Sequence, residues 1–209
     1  MNLGYQIPML FQWLSPLVTW RRRDSKVEGK GVVYLTFDDG PIPEMTPQVL
    51  KILREEGVPA TFFMVGENAQ RYPELVDQVR YGGHKIGNHT FHHLKGWSRG
   101  TLSYLEDVEK CDMLLGGTRL FRPPYGRIRI NQILGLKRRG YTVFLWDVLT
   151  HDYSPMMSTE TMVRVVKEYT RDGSIIVFHD SVKSGERMLK ALPEIIHWLK
   201  DEGYTLRSL

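Results

Sequence analysis

The chain of 209 residues has a single cysteine, Cys111, so it can form no intrachain disulfide and its redox compartment stays open. It also has little excess charge. Its 28 basic and 24 acidic residues give a net charge of +4, too small to indicate a nucleic-acid-binding protein. No internal repeat, low-complexity linker or change in composition divides it. A chain of this length is expected to form one domain with a substantial core.

The chain lacks an apolar run long enough to span a bilayer. Its most apolar stretch, residues 8–20, is short and contains prolines. The basic run Arg21-Arg22-Arg23 follows this stretch, whereas a secretory signal has its basic residues first, and no clear small-residue cleavage site comes after it. We therefore expect residues 1–30 to pack on a domain formed by residues 31–209, with peripheral membrane contact through this segment as the alternative. A cytoplasmic location is favoured over export, and the oligomeric state is left open.

Short apolar stretches alternate along the chain with amphipathic ones. Strands are predicted at 31–35, 60–65, 84–87, 119–121, 141–146 and 174–178, and helices at 46–56, 73–79, 101–115, 130–138, 159–169 and 186–201. This alternation is typical of an α/β domain, in which helices cover a parallel sheet that is either open or closed into a barrel. Functional residues in such folds gather beyond the carboxyl ends of the strands.

Two adjacent aspartates, Asp38 and Asp39, follow the first predicted strand. A buried strand has no favourable place for two unpaired carboxylates, and Gly40-Pro41 ends the strand directly after them. Neighbouring strand residues point to opposite faces, so both side chains can share one pocket only where the backbone begins to turn. Taken alone, Asp-Gly-Pro is also typical of a simple turn.

Ionisable side chains follow four other predicted strands as well, which favours a shared site over a simple turn. These residues are His89, His92 and His93 after one strand, Arg122 after the next, Asp147, His151 and Asp152 after another, and His179 and Asp180 after the last. His89 and His93 are four residues apart, a spacing that would bring both rings to one side of a helical turn, with His92 on a different side.

Two imidazoles and a carboxylate are a typical ligand set for a divalent metal, and a hydrogen-bonded structural pair is the alternative for His89 and His93. One of the two aspartates would complete the metal site, and the other would act on a water molecule as general base. His179 is the best candidate for the proton donor to the leaving group, because the ordinary pKa of histidine lies near neutrality. We expect zinc, although cobalt, nickel or iron also accept these ligands.

Four stretches of the chain resemble the signature motifs of NodB-type polysaccharide deacetylases, carbohydrate esterase family 4. In order, they are Thr36-Phe37-Asp38-Asp39-Gly40, His89-Thr90-Phe91-His92-His93, Arg122-Pro123-Pro124-Tyr125-Gly126 and Ile176-Val177-Phe178-His179. The resemblance covers the chain from about Val32 to the C-terminus. It implies a distorted (β/α) barrel with fewer strands than the eightfold type, about seven, all parallel. It also implies metal-dependent removal of acetyl groups from N-acetylated or O-acetylated sugars.

The resemblance further implies which aspartate has which role. Asp38 resembles the general base of the family, and Asp39 resembles the ligand that binds the metal together with His89 and His93. Arg122 would hold Asp38 in place.

A further motif departs from the family pattern of Asp, two residues, then Asp-Trp. Asp152 stands in the matching place and would orient His179, the acid, but Leu149 replaces the first aspartate and Tyr153 replaces the tryptophan. The missing acid is not among the inferred metal ligands, so the chemistry should tolerate its loss, while substrate fit and tuning of the leaving group stay open. The resemblance also implies that the backbone N–H of Tyr125 stabilises the tetrahedral oxyanion.

The sequence therefore predicts a metal-dependent carbohydrate deacetylase that acts on an acetylated glycan. Two alternatives remain. One is a glycan-binding pseudo-enzyme on the same scaffold, supported only by the altered motif, and the other is a metal hydrolase of a non-sugar amide or ester. The glycan and the type of acetyl linkage are not specified.

Overall fold

The structure is a computed structural model that describes residues 4–24 and 29–209. Its strands are β1 (Gly31–Asp38), β2 (Thr61–Met64), β3 (Lys85–Asn88), β4 (Leu120–Phe121), β5 (Thr142–Val143), β6 (Val148–Leu149), β7 (Ile175–His179) and β8 (Tyr204–Leu206). Its helices are α1 (Met9–Leu14), α2 (Thr46–Glu55), α3 (Gly66–Arg71), α4 (Pro73–Tyr81), α5 (Thr101–Leu115), α6 (Ile130–Arg138), α7 (Thr159–Tyr169) and α8 (Gly185–Asp201).

Seven strands form one curled sheet in the order β5-β4-β3-β2-β1-β7-β6, and β8 pairs with the first residues of β1. Every pairing along this path is parallel, so the carboxyl ends of the seven strands lie at one edge. This confirms the predicted distorted barrel of about seven parallel strands. Strand β1 lies between β2 and β7, where Asp38 is in register with Phe63 on one side and His179 on the other.

The two faces of β1 have different neighbours, as expected for side chains that alternate along a strand. Val33 and Phe37 face the covering helices, and Phe37 stacks between Phe62 and Phe178 with ring centroids 5.0 and 5.7 Å apart. Val32 belongs to the cluster on the opposite, inner face. Asp38 shares this inner parity, so the strand itself directs its carboxylate into the barrel.

Helices α5, α6 and α7 have the predicted bounds, and the other predicted helices and strands lie within a few residues of their expected positions. The sequence missed α1, α3, β6 and β8. The strand predicted at 141–146 is wrong in length, because only Thr142 and Val143 belong to β5. Phe144 and Leu145 instead contact Thr19 near the start of the chain.

An N-terminal strap, residues 5–22, lies between the two ends of the curled sheet. On one side Thr19 donates its N–H to Val143 O over 2.8 Å and accepts a hydrogen bond from Leu145 N–H over 2.9 Å. On the other side Tyr5 O accepts from Leu149 N–H over 2.8 Å. The strap thus bridges β5 and β6, which do not pair with each other. Residues 1–3 and 25–28 of the predicted N-terminal segment lie outside the described residues.

Across residues 4–24 and 29–209, none of the helices combines the length and apolarity needed to cross a bilayer.

Gly87 in β3 lies directly against the ring of Phe63, and a Cβ at position 87 would come within 2.4 Å of Phe63 Cδ1. We expect Gly87→Ala to lower the free energy of unfolding by about 1–3 kcal/mol, because the packed ring must move. Urea denaturation would measure this loss. The control is Gly100→Ala, where a Cβ meets only Ser103 Oγ at 3.6 Å and the loss should be below about 1 kcal/mol. Equal losses in the two variants would contradict the close packing at Gly87.

Candidate active site

The turn after β1 brings Asp38 and Asp39 to the same pocket. Asp38 is the last residue of β1, and Asp39 adopts a left-handed backbone conformation (φ 79°) before the cis peptide between Gly40 and Pro41. Without this turn, adjacent side chains would point to opposite faces. The pocket has a volume of about 740 Å³ and lies at the carboxyl edge of the sheet, where it is lined by both aspartates, His89, His93, Tyr125 and His179.

Arg122 holds Asp38 from inside the barrel. Its guanidinium is fully buried and donates from Nη1 to Asp38 Oδ1 over 2.6 Å and to Thr36 Oγ1 over 2.8 Å. Nη2 donates to Leu145 O over 3.2 Å. Burial lowers the pKa of Arg122, and Asp38 opposes this effect. Each of the two buried charges therefore compensates the other, and Arg122 fixes Asp38 Oδ1, whereas Oδ2 accepts no hydrogen bond from the described residues.

Asp39, His89 and His93 converge on one point. Asp39 Oδ1 lies 3.1 Å from His93 Nε2 and 3.7 Å from His89 Nε2. One ligand atom from each of the three side chains lies within 4.8 Å of the others. An oxygen and two imidazole nitrogens at this spacing fit a small divalent cation with open coordination positions, such as zinc.

The protonation of these groups also suits metal binding. His89 is buried, and burial lowers its pKa to about 4, so the ring is neutral at pH 7. Its Nδ1–H donates to Arg122 O over 2.8 Å, which leaves the lone pair of Nε2 for a metal. Burial raises the pKa of Asp39, but the hydrogen bond from His93 and the surrounding imidazoles outweigh it and hold that pKa well below the ordinary range.

The segment that carries both histidines is not a helical turn, so that part of the prediction was wrong. It is an irregular loop in which Thr90 (φ 64°) and His93 (φ 52°) have left-handed backbone conformations. Asp107 on α5 holds this loop by accepting hydrogen bonds from Phe91 N–H over 2.8 Å and His92 N–H over 3.1 Å. The His92 imidazole also contacts the Asp107 carboxylate and is not among the three side chains that converge.

His179, which lines the pocket, forms a pair with the buried Asp152. His179 Nδ1–H donates to Asp152 Oδ1 over 2.7 Å, and His179 N–H donates to Oδ2 over 2.7 Å. Burial alone would lower the pKa of His179, but the charge and hydrogen bond of Asp152 outweigh it and raise the pKa to about 9. His179 is therefore protonated near neutral pH, the form that a general acid requires.

The remaining pocket wall is partly apolar. Leu149 and Tyr153, the two departures from the family motif, both line the pocket, and the rings of Tyr153 and His179 form a T-shaped pair with centroids 5.0 Å apart. Tyr125 is half-exposed, has a left-handed backbone (φ 60°) and places its hydroxyl 3.2 Å from His93 Nδ1.

Asp147 and His151 are predicted strand-end groups that do not line this pocket, and neither do His92 and Asp180. Asp147 precedes β6 rather than following a strand, and it forms a buried ion pair with Arg171 over 2.6 Å at the amino edge of the sheet. The prediction failed because the strand at 141–146 was placed too long. His151 contacts Gly4 O, directly before the strap, and the Tyr153 hydroxyl, which lies 3.0 Å from His151 Nδ1.

Comparison with known proteins places these features in context. A family model described as polysaccharide deacetylase matches residues 25–144. A peptidoglycan-N-acetylglucosamine deacetylase of Bacillus cereus is 35% identical over 90% of this chain and 88% of its own length. A chitooligosaccharide deacetylase of Azorhizobium caulinodans is 33% identical over 87% of this chain and 94% of its own length. A crystal structure of a peptidoglycan N-acetylglucosamine deacetylase superposes with a TM-score of 0.88 at 30% identity, covering 95% of this chain and 94% of that one.

Proposed function

This chain belongs to the polysaccharide deacetylase family, and we propose that it is a metal-dependent hydrolase that removes acetyl groups from an N-acetylated or O-acetylated glycan. The observation that carries the proposal is the convergence of Asp39, His89 and His93 beside the Arg122-bound carboxylate of Asp38. A divalent metal held there, zinc before cobalt, nickel or iron, would supply Lewis acidity.

Two residues beside this cluster would carry out the proton transfers, Asp38 as the acceptor and His179 as the donor. Asp38 has Oδ2 free to take a proton from the attacking water, since Arg122 occupies Oδ1. His179 would protonate the leaving nitrogen or oxygen, while Asp152 holds its other ring nitrogen. The backbone N–H of Tyr125 would stabilise the oxyanion.

The substrate we propose first is a glycan that contains N-acetylglucosamine, because the relatives are named for peptidoglycan N-acetylglucosamine and for chitooligosaccharides. We further propose that residues 31–209 form the catalytic domain and that the strap packs on it. The cytoplasmic location and the peripheral membrane contact stay predictions.

We expect the purified protein to release acetate from chitooligosaccharides or peptidoglycan, and a chelator to abolish this release. Removing the metal should lower the rate by more than about 100-fold, because the Lewis acid and the water that it activates are lost together. An enzymatic acetate assay before chelation, after chelation and after zinc addition measures the effect.

The same assay separates the alternatives. Full activity that persists after chelation would contradict the metal site. Binding of the oligosaccharides in calorimetry without acetate release would instead support the glycan-binding pseudo-enzyme, for which Leu149 and Tyr153 in the pocket wall are the structural argument. Release of acetate only from non-sugar esters or amides would support a metal hydrolase that does not act on sugars.

A further inference from the structure

Asp180, the residue after β7, is a buried carboxyl group that the chemistry above does not use. It is 1% exposed, and its side chain reaches across to the connection between β1 and α2. Oδ1 accepts a hydrogen bond from Gly40 N–H over 3.1 Å, and Oδ2 accepts one from the Thr46 hydroxyl over 2.5 Å. The Thr46 oxygen in turn accepts from Ile42 N–H over 2.8 Å. A chain of three hydrogen bonds therefore fixes this connection.

These contacts surround Asp39. The backbone N–H of Asp180 donates to Asp38 O over 3.2 Å, and its carboxylate holds Gly40, so the residues on both sides of Asp39 are bound to Asp180. A Cβ on residue 40 would lie 2.1 Å from Asp180 Oδ2, so the close approach requires glycine. From the other side, Asn68 Nδ2 donates to Asp39 O over 2.8 Å.

This arrangement is costly for folding. The described partners of the Asp180 carboxylate are an amide and a hydroxyl rather than a cation. Burial raises the pKa of Asp180 to about 8, and the charge of Asp39 adds to this effect. The ionised form of this buried carboxyl has no countercharge, so the group contributes little to stability for its own sake, and its contacts point to a role at the neighbouring site.

We propose that Asp180 is a positioning residue, which holds the β1–α2 turn so that the Asp39 carboxylate already faces His89 and His93 before a metal binds. The inference rests on the proposed metal site. Asp180 contacts the backbone around the ligand rather than the ligand's side chain, so its removal should loosen the turn and weaken metal affinity without removing a ligand.

The test is zinc titration of the apo-protein by calorimetry, together with thermal unfolding and kcat/KM for acetate release. Asp180→Ala should weaken zinc affinity by about ten- to hundredfold, the range seen when outer hydrogen-bond partners of metal ligands are removed. Asp180→Asn keeps an acceptor for Gly40 and gains a donor for Thr46, so zinc affinity should stay within about threefold of the wild type. Should Asp180→Ala fail to fold, Thr46→Val weakens the same chain of hydrogen bonds and should lower affinity in the same direction.

The matched control is Asp147→Ala, because Asp147 is an equally buried aspartate at the opposite edge of the sheet. This variant should lose stability and keep zinc affinity. If Asp180→Ala loses stability to the same degree but binds zinc as tightly as the wild type, Asp180 is only structural and the inference falls. Wild-type protein that binds zinc without releasing acetate would overturn the proposed function and leave this inference intact. Absence of zinc binding by the wild type would overturn both.

Discussion

Asp38→Asn should lower kcat/KM for acetate release by about 10²–10⁴-fold and leave zinc binding close to that of the wild type. The amide is nearly isosteric and keeps an oxygen for the Arg122 hydrogen bond, but it cannot accept the proton of the attacking water. Asp39→Ala should have a different outcome, a loss of zinc affinity of more than about 100-fold, because it removes one of the three converging ligand atoms. Calorimetry with zinc and the acetate assay on both variants separate the two roles.

The Asp38→Asn variant needs a control for stability, since it leaves the fully buried guanidinium of Arg122 without a countercharge. Removing one partner of a buried ion pair costs about 3–5 kcal/mol. Adding Arg122→Met to Asp38→Asn removes the uncompensated charge, so the double variant should regain stability while staying inactive. Recovery of activity in the double variant would show that Asp38 serves the fold and not proton transfer. Loss of zinc in Asp38→Asn would show that the two aspartates have been assigned the wrong roles.

Asp152→Asn should lower kcat/KM near neutral pH by about 10²–10³-fold and move the alkaline limb of the pH profile to lower pH. In the wild type His179 must be protonated to act, and its pKa is raised to about 9, so activity should persist through neutrality and fall as the pH rises through about 9. Asp152 is the largest of the influences that raise this pKa. When asparagine replaces Asp152, burial has the larger effect on the pKa of His179, and the imidazole loses its proton at lower pH.

The raised pKa of His179 also makes the stability of the fold depend on pH, and stability should fall over the same alkaline range as activity. The protonated form of His179 is favoured by the fold, so its stabilising contribution is complete below the ordinary histidine pKa of 6.5 and is lost as the pH rises through about 9. His197→Gln, which alters an exposed histidine paired with Glu56, is the control and should leave both profiles unchanged. An alkaline limb that stays in place in Asp152→Asn would exclude His179 as the group that titrates.

Much of the fold and of the site can be predicted from local patterns in the sequence. Alternating apolar and amphipathic segments predict the parallel sheet, and the polar residues after the strands bring Asp38, His89 and His179 to one pocket. The spacing of His89 and His93 predicted that the two rings lie together, and their centroids are 5.1 Å apart, but left-handed residues in a loop and not a helical turn bring them there. Spacing limits how far two side chains can be apart, but it does not specify the backbone between them.

What the sequence did not reveal depends on contacts between distant parts of the chain. Asp180 and Thr46 are separated by 134 positions, and no local pattern connects them. The strand predicted at 141–146 ends early for the same reason, because Leu145 bonds to Thr19 from the strap. Asp147 was consequently assigned to the wrong edge of the sheet. Local propensity describes single elements well, whereas their ends are decided by partners that lie far away in sequence.

The strap also bears on how copies of this protein behave toward one another in concentrated solution. A curled sheet that does not close has two outer strands, and their unpaired backbone groups can recruit a strand from a second molecule. Here Thr19 is hydrogen-bonded to Val143 of β5, while Tyr5 is hydrogen-bonded to Leu149 of β6 and Ile7 to Asp147 directly before that strand. This short segment therefore covers backbone groups at both ends of the seven-strand path. Its detachment would expose these backbone groups and favour strand addition between molecules, even with every residue of the active site in place.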